Sequence, residues 1–168
     1  MSGMKTIGFA GWSGSGKTTL IERIIPRFAE HGLRVSLIKH AHHTFDVDQA
    51  GKDSYRHRHA GAGEVLVTSS RRWVLMHELR GEREPTFEEQ AERLSPCDLL
   101  IVEGFKFESI PKIEVWRAAT GEALLHPKDR DIVAIATDSK LKTGIPVLDL
   151  NDTDAIAAFV MVHLGLGR

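Results

Sequence analysis

The sequence predicts an α/β fold: a mostly parallel sheet between helical layers, with one antiparallel hairpin attached. Three observations predict it. The apolar run Ile7-Gly8-Phe9-Ala10 leads directly into the glycine-rich stretch GWSGSGKTT and then into a segment with helical spacing of apolar residues. A second strand pattern, RVSLIK, follows, so that strand, helix and strand fit within about 35 residues, the dimensions of a βαβ unit with parallel strands. Farther on, Leu99-Leu100-Ile101-Val102 is apolar without alternation, as a strand buried on both faces requires.

Taken in order, Lys5–Ala10 reads as the first buried strand. Residues 17–31 read as the first helix, with Leu20, Ile21, Ile24, Ile25 and Phe28 at helical spacing and Gly32 placed to cap the C-terminus. Pro26 lies inside that helix and is expected to kink it, because it removes a donor and crowds the preceding turn. Residues 34–39 form the second strand. Over residues 40–63 the periodicity fails, and glycines, histidines and charges take over. A segment this long, leaving the C-terminal end of a strand, is expected to be a functional loop that orders on binding. EVLVTS and WVLMHEL flank Ser70-Arg71-Arg72 and read as an antiparallel hairpin with a tight turn. Thr86-Phe87-Glu88-Glu89 has the form of a capping box and opens a helix that ends before Pro96. Residues 98–105 supply the buried strand, and KIEVWR, DIVAIATD and IPVLDL supply three more. An amphipathic helix over residues 152–163 closes the order.

A chain of 168 residues is expected to form one domain with a real core. Hydrophobic residues at 42% and charged residues at 27% are globular values, and a net charge of -1 argues against a general nucleic-acid-coating protein. Cys97 is the only cysteine, which excludes a disulfide framework and a Cys-based zinc site; it reads as a small core residue in a protein of the reducing cytoplasm. No signal pattern is visible, and no apolar run approaches the ~20 residues of a membrane span.

The chemistry concentrates at the first turn. Gly11, Gly16, Lys17 and Thr18 fit G-x-x-x-x-G-K-[ST] in a strand-to-helix context, the pattern of a phosphate-binding P-loop. Glycine backbones let successive N–H groups converge on phosphate oxygens, and the following helix adds its N-terminal partial charge. Lys17 would reach the β- and γ-phosphates and Thr18 would place its hydroxyl on Mg²⁺. The nucleotide-binding residues are thus Gly11, Trp12, Ser13, Gly14, Ser15, Gly16, Lys17, Thr18 and Thr19. Glu103 ends the run LLIVE at the position of a Walker B carboxylate and joins Thr18 as a metal residue and Lys17 as a catalytic one. Asp46, Asp48 and Asp53 are further candidates for magnesium, Asp46 first among them. Asp138 either accepts the N1–H and 2-amino edge of guanine or caps the next turn. His40, His42, His43, His57 and His59 read either as a zinc or nickel site or, with Arg56 and Arg58, as contacts to an anionic ligand.

Together, GWSGSGKTTL, LIKHAHHTFDVDQAGKDSYRHRHAGA, DLLIVEGFK and PKIEVWR resemble the MobB family of P-loop GTP-binding proteins across nearly the whole chain. The resemblance implies a P-loop NTPase fold of three αβα layers, a homodimer and GTP binding with weak hydrolysis. It also implies assistance to MobA, the guanylyltransferase that attaches GMP to molybdopterin. Pro26 and Asp138 have no anchor in the family pattern. The residues alone also admit a small-molecule or nucleoside kinase, with Arg56, Arg58, Arg71 and Arg72 as lid arginines. They admit a metallochaperone-type GTPase, against which the missing Cys–His cluster counts, and a non-enzymatic anion-binding module. Gln49 and Gln90 are the only glutamines, and neither is evidently placed to hold an attacking water, so slow hydrolysis is expected.

Overall fold

Continuous burial along the central strands dictates the architecture of the computed structural model, which describes residues 4–41 and 45–167. The first strand, β1 (Lys5–Ala10), is followed by helix α1 (Lys17–Glu30) and strand β2 (Val35–Lys39). After an intervening unit come β5 (Leu99–Glu103), β6 (Lys112–Trp116), β7 (Ile132–Thr137), β8 (Val147–Asp149) and helix α4 (Thr153–Leu164). These strands form one six-stranded sheet in the order β2-β5-β1-β6-β7-β8, and every pairing in it is parallel. β5 is buried at all five of its positions, as a strand flanked on both edges and covered on both faces must be.

One face of the sheet presents Ile7 and Phe9, Leu99 and Ile101, Ile113 and Val115, Ala134 and Ala136 to a single core, into which α1 inserts Leu20, Ile21, Ile24 and Phe28 and α4 inserts Ile156, Ala157 and Val160. The helix α1 runs through Pro26 to Glu30 without interruption. Pro26 and Glu22 are both exposed, so the carbonyl that loses its donor lies on the wet side of the helix. α4 is capped by Asp152, whose carboxylate accepts from the Ala155 N–H at 2.9 Å, and closes on Gly165 in the left-handed region.

The opposite face is buried too, but it carries charge. Lys112 and Glu114 on β6 are 1% and 0% exposed. Lys112 Nζ donates to the Glu108 carbonyl at 2.6 Å and pairs with Asp129 at 2.9 Å. Glu114 accepts from the backbone N–H groups of Leu125 (2.7 Å) and His126 (2.9 Å), which ties down the segment between β6 and β7. Cys97 is a buried free thiol, as its position before β5 suggested.

Residues 43–89 make a second compact unit. Its helix α2 (Asp53–His59) occupies part of the segment expected to order only on binding, and its strands β3 (Glu64–Thr68) and β4 (Trp73–His77) form the expected antiparallel hairpin as a separate sheet. The turn closes with the Ser69 N–H on the Arg72 carbonyl at 2.9 Å, while the Ser69 hydroxyl accepts from the Arg71 and Arg72 N–H groups. Helix α3 (Phe87–Glu92) begins with a complete capping box: Glu89 N–H to Thr86 Oγ1 at 3.3 Å, and Thr86 N–H to Glu89 Oε2 at 2.8 Å. No helix among the described residues is long and apolar enough to cross a membrane.

Glu114→Ala strands two partly buried N–H groups, so it is expected to cost about 1–3 kcal/mol and to loosen the 117–128 segment. Urea denaturation with tryptophan fluorescence checks this; an unchanged midpoint would remove Glu114 as the anchor.

Candidate nucleotide site

The sheet order places β1 between β5 and β6, and its parallel neighbours end at the same edge. The loop leaving β1 therefore meets the C-terminal ends of β2, β5, β6 and β7, where open parallel sheets bind ligands. Gly11 starts the loop at φ 148°, and a Cβ there would stand 2.4 Å from the Val115 carbonyl oxygen and 2.8 Å from Ser15 Oγ. Only glycine lets the loop pass so close to β6.

Lys17, the first residue of α1, bends back over the loop and donates to the carbonyls of Gly11 at 2.9 Å and Trp12 at 2.8 Å. These bonds hold the ammonium across the mouth of the loop. Burial pushes its pKa below the ordinary lysine value, the Glu103 carboxylate opposes that shift, and the charges of Lys106 and Lys39 add to it. A polyanion set beside Lys17 would restore the balance. α1 has no acidic residue in its first turn, so the positive end of its dipole is not offset there. Ser15 Oγ is buried and has no hydrogen-bond partner among the described residues.

Thr18 Oγ1 donates to Glu103 Oε1 at 2.7 Å, across 85 residues of sequence. The other carboxylate oxygen lies 3.5 Å from Lys39 Nζ. A threonine hydroxyl has one proton and two lone pairs, so spending the proton on Glu103 leaves the lone pairs to face a cation. The hydroxyl, the carboxylate and a phosphate loop are all hard oxygen donors, the set that Mg²⁺ prefers, and they fit that ion.

Sequence reasoning missed Arg117, Trp116, Lys106 and Lys39 at this edge. Arg117, just after β6, donates from Nε to the Ser15 carbonyl at 3.2 Å and pairs through Nη1 with Asp138 at 3.2 Å. Trp12 and Trp116 both donate their indole N–H at 2.8 Å to the 117–126 segment, to Ala123 and Glu122 respectively. Lys106 stands 4.4 Å from the Trp12 ring centroid. The signal that could have found Arg117 and Lys39 is the one that found Glu103: a charge at the C-terminal end of a predicted parallel strand.

Asp138 sits at the end of β7, with its Oδ1 accepting from the Ser139 hydroxyl at 3.0 Å. The turn after it is capped by Thr137, whose Oγ1 accepts the Ser139 N–H at 3.1 Å, so the cap reading belongs to Thr137. Asp46 gives both oxygens to Arg58, at 2.8 and 2.9 Å, and Arg58 also holds Asp48 and Glu78, at 3.4 and 2.7 Å. The Asp48 backbone and Arg58 hold the Asp46 carboxyl below the usual carboxylate range. Arg58 is thus the hub of the second unit rather than an uncommitted lid arginine. Of the histidines, His40 packs 5.1 Å from Phe105 and His59 stacks 3.9 Å from Tyr55; His42 and His43 lie outside the described residues. Among the described residues no three His, Cys, Asp or Glu side chains gather in a group that could hold a metal ion.

Comparison with known proteins agrees with this geometry. The family described as molybdopterin guanine dinucleotide synthesis protein B (MobB) matches residues 6–138. The molybdopterin-guanine dinucleotide biosynthesis adapter protein of Escherichia coli (strain K12) is 45% identical over 160 residues, covering 92% of this chain and 90% of that protein. Its counterpart from Haemophilus influenzae is 40% identical over 155 residues, covering 92% and 86%. The crystal structure of Bacillus subtilis MobB superposes with a TM-score of 0.76 at 28% identity, covering 95% of this chain and 98% of that one.

The charges around Lys17 make a measurable expectation. Its side-chain resonances should titrate below the ordinary lysine range. Glu103→Gln should lower the midpoint further by removing the one opposing charge, and Lys39→Met should raise it. NMR of labelled lysine checks all three, and an ordinary midpoint in the parent protein would contradict the arrangement.

Proposed function

The chain belongs to the molybdopterin guanine dinucleotide synthesis protein B family, and on that premise we propose that it is a GTP-binding adapter with weak GTPase activity in molybdopterin-guanine dinucleotide biosynthesis. In this reading it works in the cytoplasm beside a MobA-type guanylyltransferase, with molybdopterin as the acceptor that enzyme uses. The observation that carries the nucleotide part is the pairing of the loop with its acidic partner: Lys17 arched over the loop, and Thr18 Oγ1 bound to Glu103 at 2.7 Å.

Residues 11–19 would wrap the phosphates with backbone N–H groups, and Lys17 would set its ammonium against the β- and γ-oxygens. Mg²⁺, held by Thr18 and Glu103, would neutralise phosphate charge when bound. Asp46 belongs to the second unit, where both of its oxygens bind Arg58, so its contacts do not favour it as a further metal ligand. Asp138 would read guanine by accepting its two edge donors, sharing its carboxylate with Arg117. A site built to pair those donors disfavours adenine, which lacks them.

A homodimer belongs to the same proposal. The hairpin register puts Leu66, Trp73 and Leu75 on one exposed face, at 60%, 68% and 49%, while Val65, Val67, Val74 and Met76 share the other. The candidate apolar face is therefore Leu66, Trp73 and Leu75, and not Val65, Val67, Trp73, Leu75 and Leu79, the set that the apolar content of the two strand segments offers. Sedimentation at tens of micromolar checks it, and a monomer with and without nucleotide would count against it.

Calorimetric titration with GTP, ATP and their diphosphates, with and without Mg²⁺, tests the core of the reading. Lys17→Ala is expected to weaken triphosphate binding by at least roughly a hundredfold, the size of a desolvated charge-assisted contact, while circular dichroism stays unchanged. Undiminished affinity would remove the nucleotide site.

Hydrolysis is expected to be slow. Gln49 is exposed in the second unit, Gln90 lies in α3, and Arg58 is committed to three carboxylates. A P-loop protein without a placed water or an added arginine turns over on the order of once an hour or slower. Phosphate release in a single turnover checks this. Many turnovers per second by the isolated chain, or phosphate transferred to a nucleoside, would overturn the adapter reading.

A further inference from the structure

We infer that Arg117 is a positioning residue for the phosphate loop: held by Asp138, it fixes the Ser15–Gly16 peptide so that the Gly16 N–H is presented to the ligand side. The inference rests on reading residues 11–19 as a phosphate cradle.

Ser15 lies in the loop that follows β1, and Arg117 and Asp138 directly follow β6 and β7, the strands beside it in the sheet order. Arg117 Nε donates to the Ser15 carbonyl at 3.2 Å. That carbonyl and the Gly16 N–H belong to one planar trans peptide, in which the two groups point in opposite directions. A donor fixed on the Ser15 oxygen therefore turns the Gly16 N–H away from the guanidinium.

The loop needs such a clamp. Gly16 sits at φ 95°, ψ 16°, and glycine rotates through either sign of φ with little cost, so its own backbone does not oppose a flip of the preceding peptide. Flipped, the unit would aim a carbonyl at the phosphates and an N–H at Arg117, which is repulsive on both sides. Arginine suits the task because its charge persists at every pH the protein meets and its fork binds two partners at once. Its Nε and Nη2 both lie 3.4 Å from where a Gly16 side chain would begin, so the glycine leaves room for the fork. Asp138, 3.2 Å from Nη1, holds the other edge and sets the direction in which Nε points. The guanidinium also withdraws charge from the Ser15 oxygen, which makes the Gly16 N–H a better donor to an anion.

Arg117→Ala, Arg117→Lys, Asp138→Asn and the double variant Arg117→Ala/Asp138→Asn test this with inorganic tripolyphosphate, GTP and ATP, each titrated with Mg²⁺. Arg117→Ala is expected to lose roughly tenfold for all three ligands alike, the worth of one charge-assisted hydrogen bond. Arg117→Lys should recover part of that, Asp138→Asn should weaken tripolyphosphate as well as the nucleotides, with a further loss for GTP alone belonging to the base contact, and the double variant should bind tripolyphosphate no worse than Arg117→Ala. In the ligand-free protein, the Gly16 amide resonance should move in Arg117→Ala and Asp138→Asn, a change that a purely structural role elsewhere in the fold would not produce. If Arg117→Ala does not fold, Arg117→Lys and Asp138→Asn carry the same comparison. Tripolyphosphate affinity or a Gly16 resonance equal to the parent's would overturn the inference. So would an Asp138→Asn effect confined to the GTP-to-ATP ratio, which would assign that carboxylate to the base alone. A parent protein that binds none of the three ligands would instead overturn the cradle reading beneath it.

Discussion

Parallel pairing on both sides of β1 is the constraint on which the candidate site depends. Strands that run the same way end at the same edge, so each neighbour of β1 delivers its last residue to the loop that leaves β1. In register, Phe9 faces Glu103 and Lys39 faces Glu103 from the other side. A slip of one residue between β1 and β5 would turn Glu103 to the opposite face and separate it from Thr18. The core holds that register: Ile7 and Phe9, Leu99 and Ile101, and the apolar side of α1 fill one continuous interior, which a slip would have to repack with either Thr6 and Gly8 or Leu100 and Val102. The packing thus positions the chemistry.

Charge at this edge is arranged in partnered sets. Glu103 is buried and takes a hydroxyl proton from Thr18 on one oxygen and faces Lys39 on the other. Arg117 divides its fork between a carbonyl of the loop and Asp138. Lys17 uses two carbonyls of the loop itself. Burial is the main cause of the lowered Lys17 pKa, with Lys106 and Lys39 adding to it and Glu103 opposing it, and a polyphosphate beside the ammonium would oppose it further. The second unit solves its own charge problem separately, by gathering Asp46, Asp48 and Glu78 around Arg58. That hub raises the Arg58 pKa above its already high ordinary value through its carboxylate partners. It orders a segment that has almost no apolar residues to pack.

Buried polar groups behind the sheet serve the same edge. Glu114 accepts two backbone N–H groups and holds the 117–128 segment, and that segment supplies the acceptors for the Trp12 and Trp116 indoles. Gly8 belongs to the same arrangement, since a Cβ there would stand 2.7 Å from the Lys112 stem. The loop is therefore braced from its flank by a carboxylate that never faces the ligand side.

Local sequence specifies the strands, the hairpin, the capping box at Thr86 and the glycine-rich turn that carries Lys17 and Thr18. Each is a local matter: apolar period, turn residues and glycine spacing act over a few residues, and their physics is complete within that span. It also placed Glu103 at the end of an unbroken apolar run, where the fold brings its carboxylate to Thr18. The family resemblance was equally legible, since long particular stretches carried it. It did not reveal helix α2, whose charged residues leave no apolar stripe, or the uninterrupted course of α1 past Pro26, which depends on which side of the helix meets water. It could not show that Asp46 is committed to Arg58, or that Leu66, and not Val65, shares a face with Trp73. Above all it could not pair Arg117 with Ser15 and Asp138, residues 102 and 21 positions away from it in the chain. Only strand order brings those groups within hydrogen-bond distance, and strand order is settled by how whole faces pack, not by any short stretch of residues.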